Sequence, residues 1–403
     1  MELFWLEHKK LWRKKIVKIC VLLCFVYCVI FGSILSFQWF SFGSSDDYTS
    51  AFGNNFDGYT VIKDSQEYAL SFGGELTDET LQQIVSDYQQ MEADGMEEEL
   101  EKTDWQIVNS WLGTLYPELR DTGNYKTMIS YVDPDKLTGF YERRQQVLDE
   151  FLEVSGQVGA EKEYLHQMER KVEKPFHYEW VEGWSTLLGS MVADLGVVMA
   201  LFLGIVLSSL FAGEWHDNTS TLVLTTRNGW GKIALAKILT GLAFTVELFA
   251  LLAVSSVISQ LFFMGTAGWN MPIQNIKLIA VAPMNMLQAE IYEYAFVLLG
   301  AIGFAGIVMF ISAAVKNNVL TLLLSLTVVY GPMMIAEYLP YEMQKALDLI
   351  PLVGSSTDIF RTNTFRIFGK LIWSPYLLIT IPVLIGILCM PFAIKSWSRR
   401  MKA

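Results

Sequence analysis

The chain has 403 residues, 52% of them apolar and 18% charged, and its mean hydropathy of +0.32 excludes an ordinary soluble protein. Its net charge of −12 says nothing about the basic cytoplasmic face, because residues 41–184 hold −19 and the remainder +7; no nucleic-acid partner is expected. The charge is also badly mixed along the chain, and that mixing locates the membrane spans.

No charged residue stands between Lys18 and Asp46, Glu293 and Lys316, Lys316 and Glu337, or Lys370 and Lys395. Two further runs, Glu182 to Glu214 and Lys237 to Lys277, each hold a single acid, Asp194 and Glu247. A hydrocarbon core needs about 20 apolar helical residues, and all six runs are long enough. The expected fold is therefore an α-helical integral membrane protein of six transmembrane helices, with a mainly α extracytoplasmic domain inserted between helices 1 and 2.

Residues 1–15 form a cytoplasmic lead-in with Leu3, Phe4, Leu6, Leu11 and Trp12 beside six basic groups, Lys9, Lys10, Arg13, Lys14, Lys15 and, just beyond, Lys18. It reads equally as an amphipathic helix on the inner leaflet or as a plain positive-inside flank. Span one, 16–40, is expected to be a retained anchor, because its apolar part is too long for a signal peptide and no clear cleavage site follows. Cys20, Cys24 and Cys28 share one face of it and are expected to be soft packing residues.

Residues 41–184 are different in kind, with 30 Asp and Glu against 11 Lys and Arg. This segment is long enough to bury its own core, and its aromatics (Trp105, Trp111, Tyr116, Tyr131, Phe140, Tyr141, Phe151) argue against disorder. It has no cysteine, so no disulfide staples it. The pattern predicts turns and short strands over Phe52 to Tyr68 and a helix over Asp78 to Glu101. Further helices are predicted from Asp133-Pro134 through Leu152 and over Ala160 to Val172.

Span two is expected over 185–210, with Gly196, Ala200, Gly204 and Ser208 forming a small-residue stripe for close helix contact. A loop over 211–237 follows, then span three at 238–263, an extracellular loop at 264–293 and span four at 294–315. A short turn at 316–318 leads to span five at 319–336. The outer loop 337–374 is expected to hold a short or re-entrant helix, before span six at 375–394 and a basic tail at 395–403. The basic N-terminus and tail, with Lys316 alone in its turn, place both termini in the cytoplasm of a multi-pass cell-membrane protein.

The chain lacks a phosphate-binding loop, a His-Glu-x-x-His pair, zinc-spaced Cys and His, and a Gly-x-Ser-x-Gly elbow, so no catalytic or metal residues are nominated and no cofactor is expected. Asp194 and Glu247 would be costly facing lipid and are expected to face protein or water. They serve either a polar substrate path or interhelical hydrogen bonding.

The segment Glu214 to Lys237 has a different character: an acid, a polar stretch Asp217 to Ser220, the mixed run Thr221 to Thr226, a turn at Arg227-Asn228-Gly229, and Lys232 and Lys237. A short helix of this kind suits a groove on a partner. Gly213-Glu214, Thr219 to Leu224, Arg227 to Gly229 and Ala236-Lys237 resemble ABC-2 type permeases, the membrane subunits of ATP-binding-cassette transporters. Lys174-Pro175-Phe176 through Gly183-Trp184 is similar to the approach to span two in Gram-positive members with a large outside insert. The resemblance implies an export permease working as a dimer with an identical or related permease. ATP and Mg would bind a separate cytoplasmic ATPase, which Glu214, Asp217, Thr219, Leu222, Leu224 and Arg227 would contact. The competing reading is a non-transporting sensor or resistance component whose acidic outside domain binds a cationic antimicrobial peptide or envelope ligand.

Overall fold

The computed structural model describes residues 2–30, 60–71, 73–96, 105–121, 123, 126–217, 219, 231–354 and 356–399. It is a helical protein with a few short strands. Five of its helices are long and apolar enough to cross a membrane: Leu195–His216, Lys232–Met264, Met286–Val315, Asn318–Tyr338 and Ser374–Ser398. The expected first span is described only through Ile30, and its remainder lies outside the described residues.

Helix α1 (Glu2–Arg13) turns at Lys14 into α2 (Lys15–Val29), whose Cys20, Cys24 and Cys28 are all buried. They pack into the main apolar core as expected. That core joins α2 to α9 (Val192–His216), α10 (Lys232–Met264), α11 (Met286–Val315), α12 (Asn318–Ile335) and α14 (Ser374–Arg399).

The tightest approach lies between α11 and α14. A Cβ added at Gly306 would meet the Gly386 carbonyl at 2.4 Å, and one at Gly303 would meet the Pro382 carbonyl at 2.3 Å. These glycines let two backbones touch, which no larger residue permits. Of the expected stripe on α9, Gly204 packs against Leu322 and Leu326 of α12, whereas a Cβ at Gly196 would meet nothing within 4 Å.

Between α2 and α9 lies a helical unit of α3 (Thr60–Ser71), α4 (Asp78–Ala93), α5 (Trp105–Leu115), α6 (Phe140–Val154) and α7 (Ala160–Glu169). One core holds Leu81, Ile84, Tyr88, Trp111, Phe140 and Phe176. The two-residue strands β1 (Gly74–Glu75) and β2 (His177–Tyr178) pair antiparallel and close its ends.

Three local expectations are corrected. The helix foreseen over Asp78 to Glu101 ends at Ala93, and residues 97–101 lie outside the described residues. Residues 60–68 form helix, not turns and strands, because Ile62 and Ala69, two turns apart, bury against Trp180 and Met264. Phe52 to Tyr59 lies outside the described residues. The helix foreseen at Asp133-Pro134 is a short 3-10 turn; α6 starts at Phe140, after Gly139 at φ +73°. The Asp78 carboxylate supplies its cap, accepting from Gly139 N (2.7 Å) and Phe140 N (3.0 Å).

Residues 265–285 tie this unit to the bundle. Arg144, fully buried, donates from Nε to the Leu278 carbonyl (2.7 Å) and from its terminal nitrogens to Ala280 O (3.3 Å) and Glu169 Oε1 (2.6 Å). Trp111 Nε1 donates to Asn275 O (2.9 Å), and Asn275 Nδ2 to His177 O (2.7 Å). Beyond α12 come the short helix α13 (Tyr341–Leu347) and a hairpin of β3 (Thr364–Ile367) with β4 (Lys370–Trp373), which runs directly into α14. Helix α8 itself (Glu182–Thr186) precedes α9 through a π-turn at Leu187–Met191.

Candidate functional site

Helix α1 is amphipathic and lies across the first turns of α10. Leu11 is buried, the Trp12 ring meets Phe244 edge-on at 5.8 Å, and Thr240 Oγ1 donates to Phe4 O at 3.5 Å. This seat brings the charges of α1 onto the ends of α9 and α10. Glu214, in the last turn of α9, accepts on Oε1 from Lys10 Nζ (2.6 Å) and Lys237 Nζ (2.8 Å), and on Oε2 from the Thr219 hydroxyl. Lys237 also donates to Glu7 Oε2 at 2.8 Å.

Burial makes this junction mechanically significant. Lys237 is 2% exposed and Glu214 4%, so their pair is desolvated, while Lys10 and Glu7 close it from the water side. Burial works against the charge on Lys10, but the Glu214 hydrogen bond and charge hold its pKa above the ordinary value. Lys14 goes the other way: burial, then the Lys237 and Lys10 charges, push it down. Its Nζ donates to Ser209 Oγ at 2.9 Å. The cleft between these groups has a volume of about 20 Å³, room for a water and not for a ligand. At the same end, Lys316 Nζ sits 4.3 Å over the Trp215 ring, and Trp215 meets Trp397 of α14.

Of the residues singled out from the sequence, Glu214 and Thr219 are brought together. Asp217 is exposed beside His216, with His216 Nδ1 and Asp217 Oδ1 3.1 Å apart. Leu222, Leu224 and Arg227 lie outside the described residues, as do Asn218 and 220–230. Asp194 falls in the first turn of α9, and as a side chain it too lies outside the described residues. Glu247 accepts from Trp12 Nε1 (3.0 Å) and pairs with His8 Nε2 (3.2 Å), so it anchors α1 on α10.

Sequence reasoning missed a second polar group. Helix α11 begins at Met286, eight residues before the expected start of span four, and so takes in Glu290 and Glu293. They are 4% and 0% exposed, and none of their carboxylate oxygens makes a hydrogen bond of ordinary geometry. The readable signal was Asn285-x-x-Gln288: the Asn285 side chain accepts from Gln288 N (2.9 Å), and the Gln288 side chain accepts from Asn285 N (3.1 Å). Among the described residues, no group of three His, Cys, Asp or Glu side chains is placed to hold a metal ion.

The helical unit and the 270–288 segment also enclose a cleft of about 440 Å³, lined by Lys171, Glu173, His177, Asn270, Gln274 and Gln288 among others. No protein-family model, curated protein or solved structure matches this chain.

Proposed function

We propose that the chain is the permease subunit of an ATP-binding-cassette exporter of the ABC-2 type, driven by a separate cytoplasmic ATPase. The junction of Glu214 with Lys10, Lys237, Glu7 and Thr219 carries this reading. It welds three elements, α1, the end of α9 and the start of α10, on either side of residues 217–231. A push on that segment is therefore delivered to two spanning helices at once, without slack. A buried ion pair is a poor device for simple stability but a good one for fixing one arrangement of helix ends.

The six-span plan expected from the sequence agrees with this reading, with the acidic helical unit outside. Lys10, Lys14, Lys237 and Lys316 gather at the junction end, and the positive-inside rule makes that end cytoplasmic. In this scheme ATP and Mg bind the partner, two permease chains, identical or related, form the path, and Glu214 through Arg227 meet the ATPase.

The test is purification of the full-length chain in mild detergent with mass spectrometry of what accompanies it. It is repeated with the six residues Thr219 to Leu224 replaced by a Gly-Ser segment. The expected outcome is an ATPase subunit with the wild-type chain and its loss, together with transport, from the variant. No ATPase partner for the wild type, or equal recovery with the variant, overturns the proposal.

A further inference from the structure

Gln260 of α10 and Glu290 and Glu293 of α11 together bury six polar side-chain atoms that make no hydrogen bond of ordinary geometry, both amide atoms and all four carboxylate oxygens, with the Tyr294 hydroxyl beside Glu290. Gln260 and Glu293 are fully buried, and Glu290 is 4% exposed. Two observations bring them to one place. Glu290 and Glu293 are one turn apart on the same helix and lie within electrostatic reach of each other. Ser256 Oγ and the Tyr294 hydroxyl, 3.2 Å apart, then fix the register of antiparallel α10 and α11. Gln260 is one turn beyond Ser256 and Glu290 one turn before Tyr294, so the amide is level with the Glu290 carboxyl on facing surfaces.

We infer that Gln260, Glu290 and Glu293 form a binding site for one hard divalent cation of calcium size. The charge balance points there. Two carboxylates stand in the apolar interior, and no Lys, Arg or His among the described residues pairs with them. A single doubly charged ion neutralises both.

The donor set points the same way. Four carboxylate oxygens and the Gln260 carbonyl oxygen are hard ligands on long, adjustable side chains, with the Ser256 and Tyr294 hydroxyls next in line. Calcium takes six to eight such oxygens in irregular geometry, whereas magnesium demands a near-ideal octahedron and keeps its waters, roughly as in most protein sites. Soft metals prefer sulfur and imidazole, and Gln260, Glu290 and Glu293 supply neither.

This site lies at the opposite end of α10 from Lys237 and does not depend on the coupling proposal. It would lock the outer ends of α10 and α11 together.

The test uses the full-length chain in detergent, with equilibrium dialysis against radioactive calcium chloride and thermal unfolding followed by tryptophan fluorescence in calcium chloride or EGTA. One calcium per chain is expected, with Tm raised by about 5 °C at saturating calcium. The Glu290→Gln, Glu293→Gln double variant should lose both effects. Gln260→Leu, which keeps both carboxylates, should weaken binding by about tenfold or more. Magnesium at equal concentration should give little shift. Three outcomes each overturn the inference: no calcium bound by the wild type, equal calcium bound by the double variant (a surface effect of the acidic unit), and a Tm that follows pH but is the same in calcium and EGTA (neutralisation by protons).

Discussion

Lys237 and Glu214 form a buried ion pair at 2.8 Å that joins the start of α10 to the end of α9. Each keeps a second partner, Glu7 for Lys237 and Lys10 for Glu214, and this redundancy shapes what mutation does. Glu214→Ala leaves Lys237 with Glu7, so its cost should fall below the roughly 3–5 kcal/mol of a fully orphaned buried charge. Adding Glu7→Ala leaves Lys237 alone at 2% exposure and should reach that range, exceeding the sum of the two single changes. Thermal unfolding of the four purified proteins in detergent measures the coupling; simple additivity would show that the three groups do not act as a unit.

Arg144 should be irreplaceable by lysine. Its planar fork reaches three separate acceptors, Leu278 O, Ala280 O and Glu169 Oε1, which one ammonium cannot span. Arg144→Lys and Arg144→Met are both expected to cost about 3–5 kcal/mol. The loss should be local, with faster hydrogen exchange over residues 271–285, because that segment is held by its carbonyls. Arg144→Met leaves Glu169 with Lys174 at 2.6 Å, whereas Glu169→Gln leaves Arg144 a buried charge with carbonyl acceptors only. Glu169→Gln should therefore cost at least as much as Arg144→Met. Protection of 271–285 unchanged in Arg144→Met would remove Arg144 from its role as the tie.

Much of the helical plan was legible because a bilayer-length apolar helix is a long, strong signal. The five spanning helices fall in five of the charge-free or nearly charge-free runs. The errors have specific causes. Charge scanning stopped span four at Glu293, since it treats a carboxylate as a helix end; burial inside the bundle lets Glu290 and Glu293 sit within α11 instead. The same scan left Glu247 open between a polar path and interhelical hydrogen bonding, because its partners on α1, His8 and Trp12, are more than 230 positions away. Such long-range contacts leave no local period to read. Glu214, by contrast, stood out as the acid at the end of an apolar run, and that local signal survived folding.

Stability of the regions around Glu182 and Asp348 should fall as pH rises from about 5 to about 7. Burial lifts the Glu182 carboxyl to about 7, against which the Ser185 hydrogen bond only partly works. Burial, and then the Asp358 charge, lift Asp348 to about 6. A carboxyl whose folded pKa exceeds its unfolded value, roughly 4, binds its proton more tightly when folded. Its contribution is therefore fullest below the unfolded pKa and is lost as pH climbs through the folded one. Glu182→Gln and Asp348→Asn should each flatten the profile, and Glu182→Gln should gain about 2 kcal/mol at pH 8. Unfolding midpoints taken from about pH 4.5 to about pH 8 in steps of about half a unit check the slope; a wild-type profile that rises over this window contradicts the assignment.

The glycine contact between α11 and α14 gives the sharpest contrast in the bundle. A Cβ at Gly386 would lie 2.5 Å from Gly303 Cα, and neither backbone can yield without separating the two helices. Gly386→Ala should therefore cost about 1–3 kcal/mol or more despite its small size and its gain in helix propensity. Gly196→Ala, on α9, meets nothing within 4 Å and should be neutral or stabilising by up to about 1 kcal/mol, the ordinary helical difference between the two residues. The pair separates packing from propensity, since both sites are helical and both changes add one methyl group. Equal Tm shifts for the two variants would mean that the α11–α14 contact is looser than the backbone geometry requires.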